Sequence, residues 1–212
     1  MYAKFWKRFF DFTLSLIAII VLSPILLILT VVGAIAMRGN PFFTQLRPGK
    51  KGKDGKEKIF RLIKFRTMSN KRDKDGNLLP DAERLNGYGK FLRKTSLDEL
   101  GELVNIVKGD MAIVGPRPLL VAYLPRYSAR QRRRHEVRPG LTGYAQAYGR
   151  NLLTWEEKFE KDVYYVDNLS FWLDVKIIFK TISVVLKREG ITSDTSVTME
   201  EFMGSTEETL AK

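Results

Sequence analysis

The feature that most constrains this chain is a 24-residue, largely apolar run from Leu14 to Met37, which is interrupted at Ser23 and Pro24. A helix needs about 20 apolar residues to cross a bilayer, so the run is long enough to do so. Basic side chains flank it on both sides, with three before it and ten within residues 38–66. Because positive flanks favour the cytoplasmic side, both ends of the run are predicted to stay on that side.

The interruption at Ser23 and Pro24 predicts how the chain turns within the membrane and comes back to the side on which it entered. Pro24 has no N–H, so the carbonyl of Ile20 loses its helical partner at a depth where lipid offers no substitute. The Ser23 hydroxyl can bond a carbonyl one turn back and bend the helix. We therefore predict a re-entrant helix-break-helix that brings Arg38 back to the starting side.

The apolar run has three alternative interpretations. A proline-kinked spanning helix and a buried core helix remain open alternatives. A cleaved signal peptide is disfavoured, because the run is too long for one and lacks a small-residue cleavage site.

Composition narrows the chemistry. The chain has 36 Lys and Arg against 24 Asp and Glu, a net charge of +12, which favours anionic partners. It has no cysteine, which excludes disulfides, thiolate zinc sites and cysteine nucleophiles. His135 is its single histidine, which excludes sites built from clustered histidines. An enzyme of this composition must use carboxylates, Lys, Arg, hydroxyl groups or a hard metal ion.

The charge is unevenly distributed along the chain. Residues 117–150 hold eight arginines and one glutamate, whereas residues 191–212 hold five acids and one lysine. Basic residues beside a membrane bind anionic headgroups, but arginines set among Pro and Gly are more typical of phosphate ligands. We predict a membrane helix over 1–37, a cytoplasmic catalytic domain over 38–190 and an acidic tail over 191–212. The tail has two open interpretations, which are that it is disordered or that it folds back on the basic surface.

The pattern of the remaining segments predicts an α+β fold that is mainly helical. A small cytoplasmic domain is expected to combine a β-hairpin with amphipathic surface helices. The hairpin strands are predicted at 42–45 and 58–66, and the helices at 96–108, 127–136, 154–168 and 171–188. The apolar stripe of the last helix is more typical of a core than of a membrane surface, although Trp172 with Lys176 and Lys180 would suit an interface. The stripe consists of Phe171, Trp172, Val175, Ile178, Phe179, Ile182, Val185 and Leu186.

Asp98 and Glu99 are the strongest candidates for catalysis. Two adjacent carboxylates can bind a divalent cation, or one can attack phosphorus while the other organises a metal or a proton. The alternative is structural, because Ser96-x-x-Glu99 has the form of a helix capping box. Arg93 and Lys94 lie just before the pair and could supply counter-charge for a phosphate at the helix N-terminus.

A second group of residues combines arginines with Pro and Gly. Proline fixes φ and glycine allows close backbone approach, so each arginine could be presented in a defined direction. The segments are Gly115-Pro116-Arg117-Pro118, Arg138-Pro139-Gly140-Leu141-Thr142-Gly143 and Gly149-Arg150.

Five motifs in one order carry a family resemblance. They are Ser23-Pro24, Lys64-Phe65-Arg66-Thr67-Met68, Ser96-Leu97-Asp98-Glu99-Leu100, Gly115-Pro116-Arg117-Pro118 and Arg138-Pro139-Gly140-Leu141-Thr142-Gly143. The chain resembles the bacterial sugar transferases, which are monotopic phosphoglycosyl transferases, and is most similar to the minimal type that transfers N,N'-diacetylbacillosamine 1-phosphate. The resemblance implies transfer of a phosphosugar from a UDP-sugar to undecaprenyl phosphate, with UMP release, Mg²⁺ and a covalent aspartyl intermediate. It also implies a location on the cytoplasmic face of the bacterial inner membrane.

The resemblance also implies roles for individual residues. Asp98 matches the nucleophile and Glu99 its partner, and the two together are the expected Mg²⁺ ligands. Ser23 and Pro24 match the break in the membrane helix. The expected phosphate-binding residues are Lys64, Arg93, Arg117, Arg138 and Arg150. Gly101 departs from the family, where proline often follows the leucine of the dyad motif.

Two other function classes remain open, a membrane-anchored lipid phosphatase and a non-catalytic protein that binds anionic lipid. The expected partners are a UDP-sugar donor, undecaprenyl phosphate and inner-membrane lipids. No nucleic acid partner is expected, and a homodimer is left open. The absence of a Walker A motif disfavours ATP-driven chemistry.

Overall fold

The fold is α+β and mainly helical, as a computed structural model of residues 1–149, 153–187 and 201–204 shows. The strands are β1 (Phe42–Lys51), β2 (Glu57–Phe65), β3 (Ala112–Val114) and β4 (Gly140–Thr142). The α-helices are α1 (Lys7–Ala36), α2 (Asp81–Arg84), α3 (Gly87–Thr95), α4 (Glu102–Lys108), α5 (Tyr144–Ala147), α6 (Trp155–Asp167) and α7 (Phe171–Leu186). A π-helical turn covers Tyr2–Trp6, and 3₁₀ turns cover Leu97–Gly101, Val121–Arg126 and Gln131–Glu136.

Helix α1 contains the apolar run and continues through Pro24. The Ser23 hydroxyl donates to the carbonyl of Ile20 at 2.8 Å, which confirms the predicted replacement of the missing N–H. The helix is nevertheless continuous from Lys7 to Ala36, so the predicted break between two helices is not observed, and the re-entrant placement of the run stays a prediction. Only 11% of the apolar 18-residue stretch of this helix is buried inside the protein, so the alternative of a buried core helix is wrong.

The predicted hairpin is confirmed, with β1 and β2 antiparallel and Phe42 opposite Phe65. Phe60 and Leu62 are buried in β2, and the two-residue period of a strand places Lys64 on the same face. The side chain of Asn105 in α4 accepts from the N–H of Ile63 at 2.9 Å and donates to the Arg61 carbonyl at 2.8 Å. These two bonds fix α4 in register with β2.

Strands β3 and β4 form a parallel pair that sequence reasoning missed. Gly115 donates to the Thr142 carbonyl at 2.9 Å, and Gly140 donates to the Pro116 carbonyl at 3.0 Å. A side chain at Gly115 or Gly140 would collide with the opposite backbone. This confirms that glycine permits close approach here, and it places the Pro139-Gly140 segment directly against the one that carries Arg117.

The helix predicted at 96–108 is divided into a 3₁₀ turn and α4, which ends at Gly109 with φ of 90°. The helix predicted at 127–136 is only the short 3₁₀ turn Gln131–Glu136. Helices α6 and α7 agree with the prediction, and Thr154 caps α6 with a complete capping box. Sequence reasoning missed α3, where the side chain of Asn86 caps the helix by accepting from Gly89.

The apolar stripe of α7 faces away from the core. Trp172 and Phe179 are about 70% exposed, at 71% and 69%, and no member of the stripe with a described side chain is buried. The buried apolar residues of α7 are Ile177 and Val184, which lie outside the stripe. The prediction that the stripe belongs to the core is therefore wrong. These exposed side chains give α7 an outward apolar face.

Four residues of the acidic tail, 201–204, are described, and they pack against the rest of the chain. Phe202 is only 1% exposed and forms a core cluster with Tyr123 and Phe159. For these four residues disorder is therefore wrong, and the alternative that the tail folds back on the basic surface agrees with the ion pair between Glu201 and Arg126 at 2.9 Å. Residues 188–200 and 205–212 lie outside the described chain.

Candidate active site

The Asp98-Glu99 pair lies on the 3₁₀ turn between α3 and α4. Ser96 precedes it with φ of 56°, a left-handed conformation that few non-glycine residues adopt. The flanking Leu97 and Leu100 pack into a cluster that includes Leu29 of α1. The turn is therefore anchored next to the C-terminal half of the apolar helix.

Glu99 is held by two cations. Lys64 Nζ donates to Glu99 Oε1 at 2.9 Å, and Arg117 Nη2 donates to the same oxygen at 2.6 Å. The side chain of Ser96 makes no capping hydrogen bond. The capping-box interpretation is therefore wrong, because the glutamate pairs with distant basic residues and not with its own helix start.

Glu102 is a third carboxylate at the site, and sequence reasoning missed it. Its Oε1 lies 3.0 Å from Lys64 Nζ, and its side chain is 3% exposed. The spacing of Glu99 and Glu102 could have indicated this, because residues three apart on a helical segment share a face. Lys64 therefore bridges two carboxylates that would otherwise repel each other.

The three carboxyl groups have different electrostatic environments. Burial opposes ionisation of Glu99, but the charges of Arg117 and Lys64 outweigh it and lower the pKa of Glu99 to about 2. Burial raises the pKa of Glu102, opposed by Lys64 and reinforced by Glu99. Burial also raises the pKa of Asp98, with Lys64 opposing and Glu99 reinforcing the shift. Neighbouring carboxyl groups whose pKa values are shifted in opposite directions suit separate chemical roles.

Asp98 differs from Glu99 in having no ion pair with another side chain of the described residues. Its carboxylate oxygens are thus available to attack or to bind an incoming group. The cations on Glu99 lie next to it and can offset negative charge on a substrate. The arrangement suits nucleophilic attack on a phosphate.

Arg117 is positioned through its backbone by a buried ion pair. Arg134 Nη2 donates to the Arg117 carbonyl at 2.7 Å and to Asp162 Oδ2 at the same distance. The side chains of Arg134 and Asp162 are 2% and 5% exposed. Neither residue was singled out from the sequence, because their pairing joins a 3₁₀ turn to α6.

Arg47 of β1 is a further cation that sequence reasoning did not assign to the site. Burial and the charge of nearby Arg117 lower its pKa. Its Nη2 donates to Gln45 Oε1 at 2.6 Å, and its Nε is buried without a partner among the described residues. Arg47 therefore adds positive charge beside Arg117 that is not fully compensated.

The structure brings together Asp98, Glu99, Lys64 and Arg117, as predicted. Arg93 lies at the end of α3 and donates to Thr67 Oγ1 at 3.2 Å. Arg138 is not brought to the dyad, because its Nε donates to the Gly109 carbonyl at the far end of α4, at 2.9 Å. Arg150 lies outside the described residues.

Asp98 and Glu99 can supply part of the ligand set of a Mg²⁺ ion, and a bound substrate would have to supply further ligands. Both cations contact Oε1 of Glu99, which leaves Oε2 without an ion pair in the described chain. No group of three or more acidic or histidine side chains among the described residues could hold a metal ion alone. Mg²⁺ commonly uses one or two carboxylates together with substrate phosphates and water, which this donor set permits.

Comparison with known proteins finds one family across nearly the whole chain. The bacterial sugar transferase family matches residues 2–188. The chain is 51% identical to the uncharacterized sugar transferase EpsL of Bacillus subtilis, and the match covers 94% of this chain and 96% of EpsL.

Two further relatives have names that state a reaction. The undecaprenyl-phosphate galactose phosphotransferase of Salmonella typhimurium is 36% identical over 89% of this chain and 42% of its own length. The UDP-glucose:undecaprenyl-phosphate glucose-1-phosphate transferase of Klebsiella pneumoniae is 37% identical over 84% of this chain and 39% of its own. The chain thus spans less than half the length of these two relatives.

Proposed function

This chain belongs to the bacterial sugar transferase family, and we propose that it transfers a sugar 1-phosphate from a UDP-sugar to undecaprenyl phosphate with release of UMP. One observation carries the proposal. Asp98, which has no ion pair within the described chain, lies beside Glu99, which is bonded to both Lys64 and Arg117. A reactive carboxylate next to fixed cations is suited to attack on a pyrophosphate.

In the first step, a carboxylate oxygen of Asp98 attacks the phosphorus of the phosphate that bears the sugar. The bond from that phosphorus to the bridging oxygen breaks, and UMP leaves with the electron pair. Lys64 and Arg117 offset the negative charge of the donor, since fixed cations act strongly in a partly buried site. The product is a phosphosugar joined to Asp98 and free UMP.

In the second step, a phosphate oxygen of undecaprenyl phosphate attacks the same phosphorus. The bond to Asp98 breaks, and the carboxylate is restored while the lipid diphosphate sugar leaves. Because the donor has left before the acceptor binds, a water-soluble and a lipid substrate can use one site in turn. When bound at Asp98 and Glu99, Mg²⁺ would neutralise phosphate charge.

The contacts of α1 support a monotopic placement, in which both ends of the helix lie on one side of the membrane, and the basic flanks favour the cytoplasmic side. Near its start, Lys7 Nζ lies 2.8 Å from buried Asp174 of α7. At its end, Asn86 donates to the Ala36 carbonyl at 3.1 Å, and Tyr88 donates to the Leu29 carbonyl at 2.8 Å. Both ends therefore bind the same polar domain. A helix that crossed the bilayer would have to place one of these contacts on the far side.

The identity of the sugar is tested by a donor panel. The resemblance to bacillosamine transferases predicts an N-acetylated donor such as UDP-N,N'-diacetylbacillosamine, whereas the two relatives above are named for galactose and glucose. The proposal therefore commits to a UDP-sugar, and both sugar classes belong in the panel.

The test uses the full chain in nanodiscs with Mg²⁺ and undecaprenyl phosphate, and measures UMP, inorganic phosphate and the lipid product. We expect equal amounts of UMP and lipid diphosphate sugar from at least one donor. Asp98→Asn should abolish both products, whereas Asp81→Asn, a control at a 74% exposed side chain, should retain the rate. Phosphate without UMP would favour the lipid phosphatase, and the absence of all products would favour a non-catalytic lipid-binding protein.

A further inference from the structure

The segment Glu201–Gly204 lies beyond the region that the family matches, which is 2–188. Its Phe202 is nevertheless among the most buried side chains, at 1% exposure. Four rings surround it at centroid distances of 5.0 to 5.8 Å, from Tyr123, Tyr127, Trp155 and Phe159. The segment is therefore docked in a formed aromatic pocket.

Polar contacts fix the backbone and side chains of the same segment. The N–H of Phe202 donates to the Tyr123 hydroxyl at 3.3 Å. Arg126 Nη1 donates to the Phe202 carbonyl and, at 2.9 Å, to Glu201 Oε1. Arg126 thus binds both the main chain of Phe202 and the side chain of Glu201. These contacts suit an acidic residue followed by an aromatic one.

An unbroken series of contacts joins Phe202 to the catalytic dyad. The ring of Phe202 stacks on Tyr127 at 5.8 Å and 23°. The Tyr127 hydroxyl accepts from Arg134 Nη1 at 3.1 Å, and Arg134 Nη2 donates to the Arg117 carbonyl at 2.7 Å. Arg117 then donates to Glu99 at 2.6 Å.

The geometry of Arg134 depends on the aromatic rings that Phe202 contacts. Its guanidinium lies 5.8 Å from the ring centre of Tyr127 and 5.5 Å from that of Phe159. Removal of the Phe202 side chain would open a void against both rings, and neighbouring groups relax into such voids. A shift of Tyr127 would move Arg134, and with it the backbone of Arg117.

We propose that Glu201–Gly204 is a positioning element for catalysis, in which Phe202 holds Arg117 against Glu99 through Tyr127 and Arg134. This inference rests on the proposed transferase function. Phe202 does not touch the reacting atoms, and its effect is exerted through the position of Arg117. Small displacements of charged groups near a reaction centre cause large losses of rate, so the effect should appear in turnover.

The test measures kcat and KM for UMP release by the full chain and by the variants Phe202→Ala, Phe202→Leu and Leu78→Ala. We expect Phe202→Ala to lower kcat on the order of ten- to a hundredfold, with Phe202→Leu recovering most of the loss because it refills the pocket. Leu78→Ala should match the wild type, since Leu78 is 48% exposed and lies outside this segment. Arg126→Gln, which removes the polar contacts but no core side chain, should lower kcat in the same direction.

A double-mutant cycle separates positioning from simple stabilisation. If Phe202 acts through Arg117, the double variant Phe202→Ala/Arg117→Lys should be no slower than Arg117→Lys alone. Ile177→Val, a core change in α7, should lower the unfolding midpoint and leave kcat unchanged at temperatures where the protein is folded. An active wild type with unchanged kcat in Phe202→Ala, or with multiplicative losses in the double variant, would overturn the inference. An inactive wild type would instead refute the proposed function.

Discussion

The guanidinium of Arg117 donates from Nη2 to Oε1 of Glu99 at 2.6 Å, the same oxygen that accepts from Lys64. One member of the acidic pair is thereby committed to holding cations in place, while Asp98 remains without an ion pair in the described part of the chain. This asymmetry is the basis on which we propose a nucleophilic role for Asp98 and a positioning role for Glu99.

The shape of the Arg117 guanidinium should matter as well as its charge. Lysine keeps the charge but loses the planar group that can bond a carboxylate and a phosphate together. We expect Arg117→Lys to lower kcat for UMP release on the order of ten- to a hundredfold. Arg130→Lys, at a side chain that is 61% exposed and paired with Glu160, is the matched control and should retain the rate. Equal rates for Arg117→Lys and the wild type would contradict this role.

Lys64 should contribute to stability because it separates Glu99 from Glu102. Lys64→Met would leave the buried carboxylate of Glu102 without its ion-pair partner and Glu99 with Arg117 alone, so we expect a loss on the order of 3 to 5 kcal/mol in the free energy of unfolding. Adding Glu102→Gln should recover part of this loss by removing the repulsion. Denaturant unfolding of the single and double variants measures both effects, and strictly additive losses would refute the shared-cation interpretation.

His135 should make stability fall in mild acid. Burial and the charge of Arg134 lower the pKa of His135 to about 3, whereas an unfolded histidine titrates near 6.5. Below about pH 6.5 the unfolded chain therefore binds a proton that the folded chain does not. The free energy of unfolding should fall between about pH 6.5 and 3, by at most ~1.4 kcal/mol per pH unit from this group.

The control for this pH dependence is His135→Gln, which has no titrating side chain at the position. As the chain has no other histidine, the difference in slope between the two proteins isolates the imidazole. Parallel curves of unfolding free energy against pH would show that His135 titrates normally in the folded state.

The placement of α1 can be tested by cysteine labelling, because the chain has no cysteine of its own. We expect Lys4→Cys and Arg38→Cys to react with a membrane-impermeant maleimide in inside-out vesicles and to be protected in right-side-out vesicles. Asp75→Cys, in an exposed loop of the polar domain, provides the reference for the side on which that domain lies. Labelling of Lys4→Cys and Arg38→Cys from opposite sides would establish a spanning helix.

Local features of the fold followed from the sequence. Two segments rich in Phe, Ile and Thr on either side of a Gly- and Lys-rich stretch predicted the hairpin, and the missing N–H of Pro24 predicted the hydroxyl bond from Ser23. The β3–β4 pair was not predictable in this way, because strands of three residues have too little periodicity and their pairing depends on distant glycines. A parallel pair of this kind is fixed by the tertiary fold.

In the site, too, residues within sequence motifs could be predicted, whereas residues whose position depends on tertiary contacts could not. The dyad and the basic residues Lys64 and Arg117 were recognised from motifs, and the structure brings them together. Ser96 misled the capping prediction because it ends α3 in a left-handed conformation. Phe202 could not be predicted as buried, since a single aromatic residue in an acidic tail gives no pattern until its pocket is formed.

The covalent role of Asp98 is tested most directly by mixing the full chain with its UDP-sugar and Mg²⁺ in the absence of undecaprenyl phosphate, and measuring UMP. A two-step mechanism predicts a burst of about one UMP per active protein molecule and an equal amount of protein carrying the phosphosugar by mass, both lost in Asp98→Asn. If UMP formed only when undecaprenyl phosphate was present, or if Asp98→Asn kept the burst, the aspartyl mechanism would be contradicted.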